Sequence, residues 1–302
     1  MNIIVCVTFS PDVNIIRLDP KNEGRIDTED LVYTIHPSDL VAVEAAVQIK
    51  EQNGSDRVIL VALSSPSDER LLRKCIAIGA DEAVLLNDPH FKNPDGYSIG
   101  AILAMCCRTM DFDLILCGHG ALESLGGQTG YVMAELLSLP MVSRVTKIDI
   151  FSERNRLAIE KKLERGYRER VEVPLPALLT LEESLNVPRY ASLPNMLYAQ
   201  EKEIKTMNRE DLGFSPEEED LRRPKLERLY MKPPKPRPKK IFTPDTSLSA
   251  EDRMWQIMSG GLNEKNKELF DGPPDELSLK FVEYLNQLGI DWGLAKGEPK
   301  EL

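Results

Sequence analysis

Val58-Ile-Leu-Val-Ala-Leu63, followed by Ser64-Ser-Pro-Ser-Asp68 and then by Leu71, Leu72, Cys75 and Ile76 ahead of Gly79, decides the fold. The first six residues are an unbroken apolar run, the pattern of a strand covered on both faces. The serines, proline and aspartate behind it make a turn with helix-start character, the next apolar residues recur at helical spacing, and Gly79 closes the helix. The same alternation extends upstream. Ile3-Ile-Val-Cys-Val7 reads as a strand, a polar excursion through Asp19 to Asp30 as a hairpin or irregular loop, and His36-Pro-Ser-Asp39 as a helix start capped by Ser38 or Asp39. Leu40, Val43 and Val47 give that helix one buried stripe, and Asn53-Gly54 ends it. Downstream, Ala83-Val-Leu-Leu86 is a strand, Ile99, Ile102, Leu103 and Cys106 mark a helix, and Asp113-Leu-Ile-Leu-Cys117 is another strand. A glycine-rich loop and a helix carrying Val132, Met133, Leu136 and Leu137 follow. Strands alternating with amphipathic helices imply an α/β protein with a doubly wound, mostly parallel sheet.

From Arg144 the pattern changes to strand-like segments at Val145 to Phe151, Leu157 to Leu163, Arg170 to Val173 and Ala177 to Leu181, read as an antiparallel edge. Beyond Asn186 the chain no longer reads as a domain interior. Pro216-Glu-Glu-Glu-Asp220 and Lys232-Pro-Pro-Lys-Pro-Arg-Pro-Lys-Lys240 are charged or proline-rich and predict an extended arm. Two short helices are predicted on it, Ser249 to Met258 and Asp275 to Leu288, the second with Leu277, Phe281, Leu285 and Leu288 on one face. That stripe and Trp255 read as docking anchors.

Composition narrows the function. Of 302 residues, 38 are Lys or Arg and 49 are Asp or Glu, a net charge of −11 that argues against a whole-surface binder of nucleic acid or anionic membrane. No apolar stretch approaches the roughly 20 residues of a membrane span, and the chain enters its first strand without a basic leader, so a cytoplasmic protein with no membrane insertion is expected. The five cysteines stand in apolar surroundings with no C-x-x-C pair and read as reduced core thiols. Three scattered histidines, His36, His90 and His119, offer no metal cluster.

In open parallel sheets ligands bind beyond the carboxyl ends of the strands, which directs attention to the loops after Val7, Leu63 and Cys117. The third reads Gly118-His-Gly-Ala-Leu-Glu-Ser-Leu-Gly126-Gly127-Gln128-Thr129-Gly130. Its glycines permit close backbone approach, and Gln128 and Thr129 open a helix whose free amides and dipole favour a phosphate. A plain glycine turn with Thr129 as an ordinary cap fits the same residues. Neither a P-loop nor a dinucleotide fingerprint is present.

The chain resembles the β subunit of electron-transfer flavoproteins over roughly residues 1 to 215. The likeness rests on His36-Pro-Ser-Asp-Leu-Val-Ala-Val-Glu44, Leu72-Arg-Lys-Cys-Ile-Ala-Ile-Gly79-Ala-Asp81, Gly127-Gln-Thr-Gly130, Leu175-Pro-Ala-Leu-Leu-Thr180 and, most specifically, Leu185-Asn-Val-Pro-Arg-Tyr-Ala-Ser-Leu-Pro-Asn195. The resemblance implies an adenine nucleotide alpha hydrolase-like fold and a non-catalytic electron carrier, with no catalytic residue assigned. It implies a heterodimer whose α subunit holds most contacts to the redox-active FAD, the β subunit completing that site and burying a structural AMP. Carried over to the AMP site are Cys6, His36, Pro37, Ser38, Asp39, Leu63, Glu123, Ser124, Leu125, Gly126, Gly127, Gln128, Thr129 and Gly130. The family usually has Asn in place of His36 and an acidic run before Gln-Thr-Gly, where this chain has Glu123-Ser-Leu-Gly-Gly127. Leu193, Pro194 and Asn195 correspond to the loop that grips acyl-CoA dehydrogenases, with Leu193 the apolar anchor; burial of Leu193 at the subunit interface is the competing reading. Tyr198 and Glu201 replace lysines that typically follow that anchor.

The resemblance therefore predicts residues 1–185 as a nucleotide-binding α/β domain, 186–215 as a partner-recognition loop and 216–302 as an extended arm with docking helices. Electrons are expected to pass from acyl-CoA dehydrogenases to a quinone-linked oxidoreductase. Two alternatives stand beside this. A flavin-bifurcating form holds a second FAD with NADH as donor, its loop resembling Asp-Gly-Asp-Thr-Ala-Gln-Val, which this chain lacks. A stand-alone ATP-binding, pyrophosphatase-like protein needs Ser-Gly-Gly-x-Asp-Ser where this chain has Ser64-Ser-Pro-Ser-Asp68.

Overall fold

The computed structural model describes residues 1–12, 15, 31–54, 56–91, 94–120, 127–151, 155–215, 218, 220–226, 247–258 and 272–287. The chain divides into two compact units, Met1–Pro234 and Lys235–Leu302.

In the first unit β1 (Asn2–Val7), β2 (Phe9–Pro11), β3 (Tyr33–Ile35), α1 (Pro37–Asn53), β4 (Arg57–Leu63), α2 (Glu69–Ile78), β5 (Glu82–Leu86), α3 (Gly96–Arg108) and β6 (Leu114–Gly118) succeed one another. Then come α4 (Thr129–Leu137), β7 (Met141–Phe151), β8 (Arg156–Lys162), β9 (Arg168–Pro174), β10 (Ala177–Leu181), α5 (Leu193–Glu201) and β11 (Lys205–Met207). One nine-stranded sheet runs in the order β11-β5-β4-β1-β6-β10-β7-β8-β9. Every neighbouring pair from β11 to β7 is parallel, and only β7-β8 and β8-β9 are antiparallel. β2 and β3 pair by themselves as an antiparallel stem around the polar excursion, residues 19–30 of which lie outside the described residues.

Alternation along the strands assigns the two faces. Ile3, Val5 and Val7 of β1 join one core with Val43, Val47, Leu71 and Leu72 of α1 and α2. Ile4 and Cys6 join a second with Ile102, Leu103 and Met133 of α3 and α4. Both faces are covered, so the central strands are apolar throughout, and this is why they are legible as unbroken runs. All five cysteines are buried and free, and burial pushes the thiols of Cys75 and Cys106 up to about 12.

Two expectations from the sequence require correction. Ala177 to Leu181 is not part of an antiparallel edge: β10 lies between β6 and β7, parallel to both. Its five residues are all buried, as in the other central strands. The stretch beyond Asn186 also does belong to the folded unit. α5 packs on α2 with Ala199 buried, β11 extends the sheet beside β5, and Met207 and Leu212 enter the second core. The described part of the acidic run turns along α3, where Arg108 pairs with Glu218 at 2.5 Å and Asp95 accepts from the amides of Lys225 and Leu226 at 2.7 and 3.0 Å.

In the second unit α6 (Ala250–Met258) and α7 (Pro274–Gln287) form as predicted. On α7 Leu285 is buried, Leu277 is half-buried, Phe281 is exposed and Leu288 lies outside the described residues, as does the basic proline-rich segment 232–240. No described helix is long and apolar enough to cross a membrane.

Gly100 sets the spacing of α3 and α4, because a Cβ there would lie 2.8 Å from the Thr129 carbonyl oxygen and 2.9 Å from Val132 Cβ. Neither atom can rotate away. Alanine gains about 1 kcal/mol of helix propensity but overpacks by about 1–3 kcal/mol, so Gly100→Ala is expected to lower stability in urea unfolding by up to about 2 kcal/mol.

Candidate functional site

The direction of strand addition reverses at β1, with β4 and β5 on one side and β6 on the other, and in sheets of this kind that reversal point, here beyond Val7 and Gly118, is where a ligand crevice is expected. One side chain bridges that point. Asp39, in the first turn of α1, accepts from the Thr8 amide at 2.8 Å and the Thr8 hydroxyl at 2.5 Å with Oδ2, and from the Gly118 amide at 2.9 Å with Oδ1. Burial raises the Asp39 carboxyl above the ordinary carboxylate value, and the bonds from Thr8 and Gly118 offset part of that rise. Gly118 has no alternative: a Cβ would lie 2.2 Å from Ser38 Oγ and 2.4 Å from Asp39 Oδ1.

The cap of α1 is His36, not Ser38 or Asp39. Its Nδ1 accepts from the Ser38 amide at 3.2 Å and lies 2.6 Å from Ser38 Oγ, while its own amide donates to the Thr8 carbonyl. Pro37 explains the choice: it occupies the first helical position, where no amide is needed, and the imidazole reaches the next one. Ser38 and Asp39 are thereby turned inward and buried, shaping the crevice wall.

The two described ends of the glycine loop, Gly120 and Gly127, approach each other. Gly120 and Gly127 both have positive φ, +96° and +50°, and a Cβ on Gly127 would lie 3.4 Å from Gly120 Cα. Gln128 makes no side-chain cap to α4, and among the described residues no side chain accepts from the amides of Thr129, Gly130 and Tyr131 in its first turn. The Thr129 hydroxyl reaches the Gly96 carbonyl at 3.4 Å. Gly130 lies tight on β10, its missing Cβ 2.7 Å from Thr180 Cγ2. The structure thus brings together His36, Pro37, Ser38, Asp39 and Gly118 on one side, and packs Gly130 onto β10. Cys6 lies apart, its Sγ 3.9 Å from Met133 Sδ beneath the sheet. Leu63 ends β4 half-buried against the second core. Glu123, Ser124, Leu125 and Gly126 lie outside the described residues.

The sequence reading missed several residues at this end of the sheet. Thr180 Oγ1 accepts from the Arg144 amide at 3.2 Å and lies 3.5 Å from His119 Nδ1. Arg144, at φ 58° where β7 departs from regular register, donates to Glu182 at 2.9 Å, and Lys162 pairs with the same carboxylate at 3.5 Å. The signal available in sequence was only the charge at Arg144 beside a strand start; the pairing joins residues 38 apart.

Comparison with known proteins shows the family of the chain. A family model described as electron transfer flavoprotein domain matches residues 24–212. The chain belongs to the electron transfer flavoprotein family, on the β-subunit side. It is 34% identical to the electron transfer flavoprotein subunit beta of Thermoanaerobacterium thermosaccharolyticum over 90% of this chain and 97% of that one. It is 38% identical to subunit CarD of the caffeyl-CoA reductase-Etf complex of Acetobacterium woodii over 72% of this chain and 82% of that one. Protein FixA of Azotobacter vinelandii is 30% identical over 71% and 77%. As a member of this family the flavoprotein subunit acts in electron transfer, together with an α subunit.

Leu193, Pro194 and Asn195 form the first turn of α5, capped by Ser192, whose hydroxyl accepts from the Asn195 amide at 3.4 Å. Leu193 is 68% exposed, and Val187, Tyr190, Met196, Leu197 and Tyr198 are exposed beside it.

Burial, with Arg144 and Lys162 adding to it and Glu182 opposing, holds the His119 imidazole below its ordinary value. Its stabilising contribution is present above the unfolded value of about 6.5 and lost as pH falls through the lower folded value. Proton NMR titration of the three histidines is expected to show His119 titrating below 6.5, lower still in Glu182→Gln and higher in Arg144→Gln.

Proposed function

We propose that this subunit buries AMP at the crevice between β1 and β6, completes the FAD site of an α subunit, and carries electrons from acyl-CoA dehydrogenases to a quinone-linked oxidoreductase, in the cytoplasm. The observation that carries the nucleotide reading is the start of α4: three amides that no side chain caps among the described residues, behind a glycine at positive φ, at the reversal point of a parallel sheet. Gly127 to Gly130 offer main-chain donors to a phosphate. The fit of the group is supported by chemistry of the wall as well: Ser38 and Asp39 are engaged in protein bonds, so the Asp39 carboxylate is not left loose to repel an anion.

Bound FAD supplies the electron-accepting chemistry, and the residues of this chain supply geometry. The thiols are buried, His36 is tied to Ser38, and His90 is paired with Asp88 at 2.7 Å. Among the described residues these groups have structural work, in keeping with a carrier. The exposed apolar face of α5 supports docking of a donor, with Leu193 filling a pocket on the dehydrogenase.

A second reading is favoured by one observation, the 38% identity to a subunit named for a caffeyl-CoA reductase-Etf complex. In it the subunit holds a second FAD in place of AMP and electrons enter from NADH. Gly127-Gln-Thr-Gly130 supports AMP over this form.

Co-expression with the α subunit, followed by extraction and absorption spectroscopy, is expected to give one FAD and one AMP per heterodimer. Two FAD with reduction by NADH selects the second reading, and a heterodimer empty of adenylate and flavin overturns both. Leu193→Ala is expected to raise the KM of an acyl-CoA dehydrogenase for the flavoprotein by about 10-fold or more with its nucleotide content unchanged.

A further inference from the structure

The docking reading of α5 leaves open what holds a nine-residue helix in place when its apolar side chains point outward. Isolated helices of that length do not persist in water, and among its residues only Ala199 is buried. The answer lies at its carboxyl end. Arg73 of α2 donates from Nη1 to the carbonyl oxygens of Ala199, Gln200 and Lys202 at 2.6, 2.7 and 3.0 Å. These are among the carbonyls a helix terminus leaves without partners, and a cation there also opposes the helix dipole. The guanidinium is itself aimed by Glu69, one turn earlier on α2, which accepts from Nε at 2.9 Å and from Nη2.

The amino end is tied by a separate set of bonds. Arg189, four residues ahead of Leu193, pairs with buried Glu44 at 2.9 Å and with Glu51 at 2.6 Å, both on α1, and Asn186 donates to the Val41 carbonyl at 3.0 Å. The segment leading into α5 is therefore bound to α1 and the carboxyl end of α5 to α2, while Leu193, Met196, Leu197 and Tyr198 remain outside.

We propose that Arg73 is a positioning residue for partner docking: by holding the last carbonyls of α5 it keeps the Leu193 face preformed, so that a donor protein meets an ordered helix. This rests on the docking reading above. Preformed recognition elements bind more tightly because less ordering is left to the encounter. Arg73 touches neither the partner face nor the crevice. Its substitution is expected to change encounter with the donor and to leave flavin content and turnover alone.

The test uses the heterodimer carrying Arg73→Gln, with Arg73→Lys as the conservative variant and Leu193→Ala as the docking control. Hydrogen exchange of the peptide spanning 193–202 is expected to quicken by about 10-fold or more in Arg73→Gln and by less in Arg73→Lys. The KM of an acyl-CoA dehydrogenase for the flavoprotein is expected to rise in the same order, kcat and FAD content staying at the parent level. Unchanged exchange in Arg73→Gln overturns the brace, and quickened exchange with unchanged KM overturns its role in docking. An unchanged KM in Leu193→Ala instead overturns the docking reading itself, and the exchange data separate the two failures. Should Arg73→Gln not assemble, Glu69→Gln removes only the group that aims the guanidinium and is read in the same way.

Discussion

The Asp39 carboxylate is the constraint on which the functional end of the molecule depends. Where a doubly wound sheet reverses, the loops after the two central strands leave in opposite directions and their first amides lose ladder partners. Here those amides belong to Thr8 and Gly118, and both donate to Asp39. The acid is available because α1 starts at His36 and Pro37, placing Asp39 in the first turn, where a negative charge is also favoured by the helix dipole. Gly118 follows as a necessity, since any side chain there would occupy the space of Ser38 and Asp39. The site is thus set by one carboxylate, one glycine and one threonine, none of which has to touch a ligand.

That arrangement explains which parts of the molecule were legible in the sequence. β1, β4, β5 and β6 are buried on both faces, so their apolar runs carry the signal of parallel strands, and Gly54 and Gly79 end α1 and α2 as the residues themselves suggest. The direction of β10 was not legible. Its composition is that of a central strand, but its neighbours are β6 and β7, and β7 precedes it by two antiparallel hairpins that look like one continuous edge when read along the chain. α5 was hidden for the opposite reason. Its apolar residues face outward, leaving no buried stripe for a helical period to reveal.

The candidate site was legible as a loop and illegible as a contact network. Gly118 to Gly130 announces itself through its glycines and its place after a strand. The bonds that make it a site join Thr8 to Asp39, Asp39 to Gly118, and Arg144 to Glu182, across separations of 31, 79 and 38 residues. No local pattern encodes such pairs. His36 is the instructive case: Ser38 and Asp39 are the better caps by preference, yet with Pro37 at the first helical position the imidazole bonds the Ser38 amide, and the two preferred caps serve the fold elsewhere.

A carrier has to meet two demands that conflict within one small unit. Its nucleotide end has to be stiff, since electron transfer depends on where the flavin is held, and its partner face has to stay apolar and open. This chain meets them on different elements of the same core. The crevice is closed by short bonds among buried groups, Asp39 with Thr8 and His36 with Ser38. The partner face proposed above is that of α5, which buries only Ala199 and whose carboxyl end and lead-in segment are held by Arg73 and Arg189. α2 links the two regions: it begins just beyond Leu63 at the crevice mouth, where Asp68 accepts from the Ser64 hydroxyl at 2.6 Å, and it presents Arg73 to α5 one turn later. A partner on that proposed face would be one helix away from the proposed nucleotide wall. Polar anchoring permits this where apolar packing would not, because side chains that buried α5 in the core would no longer be on its surface to meet a partner.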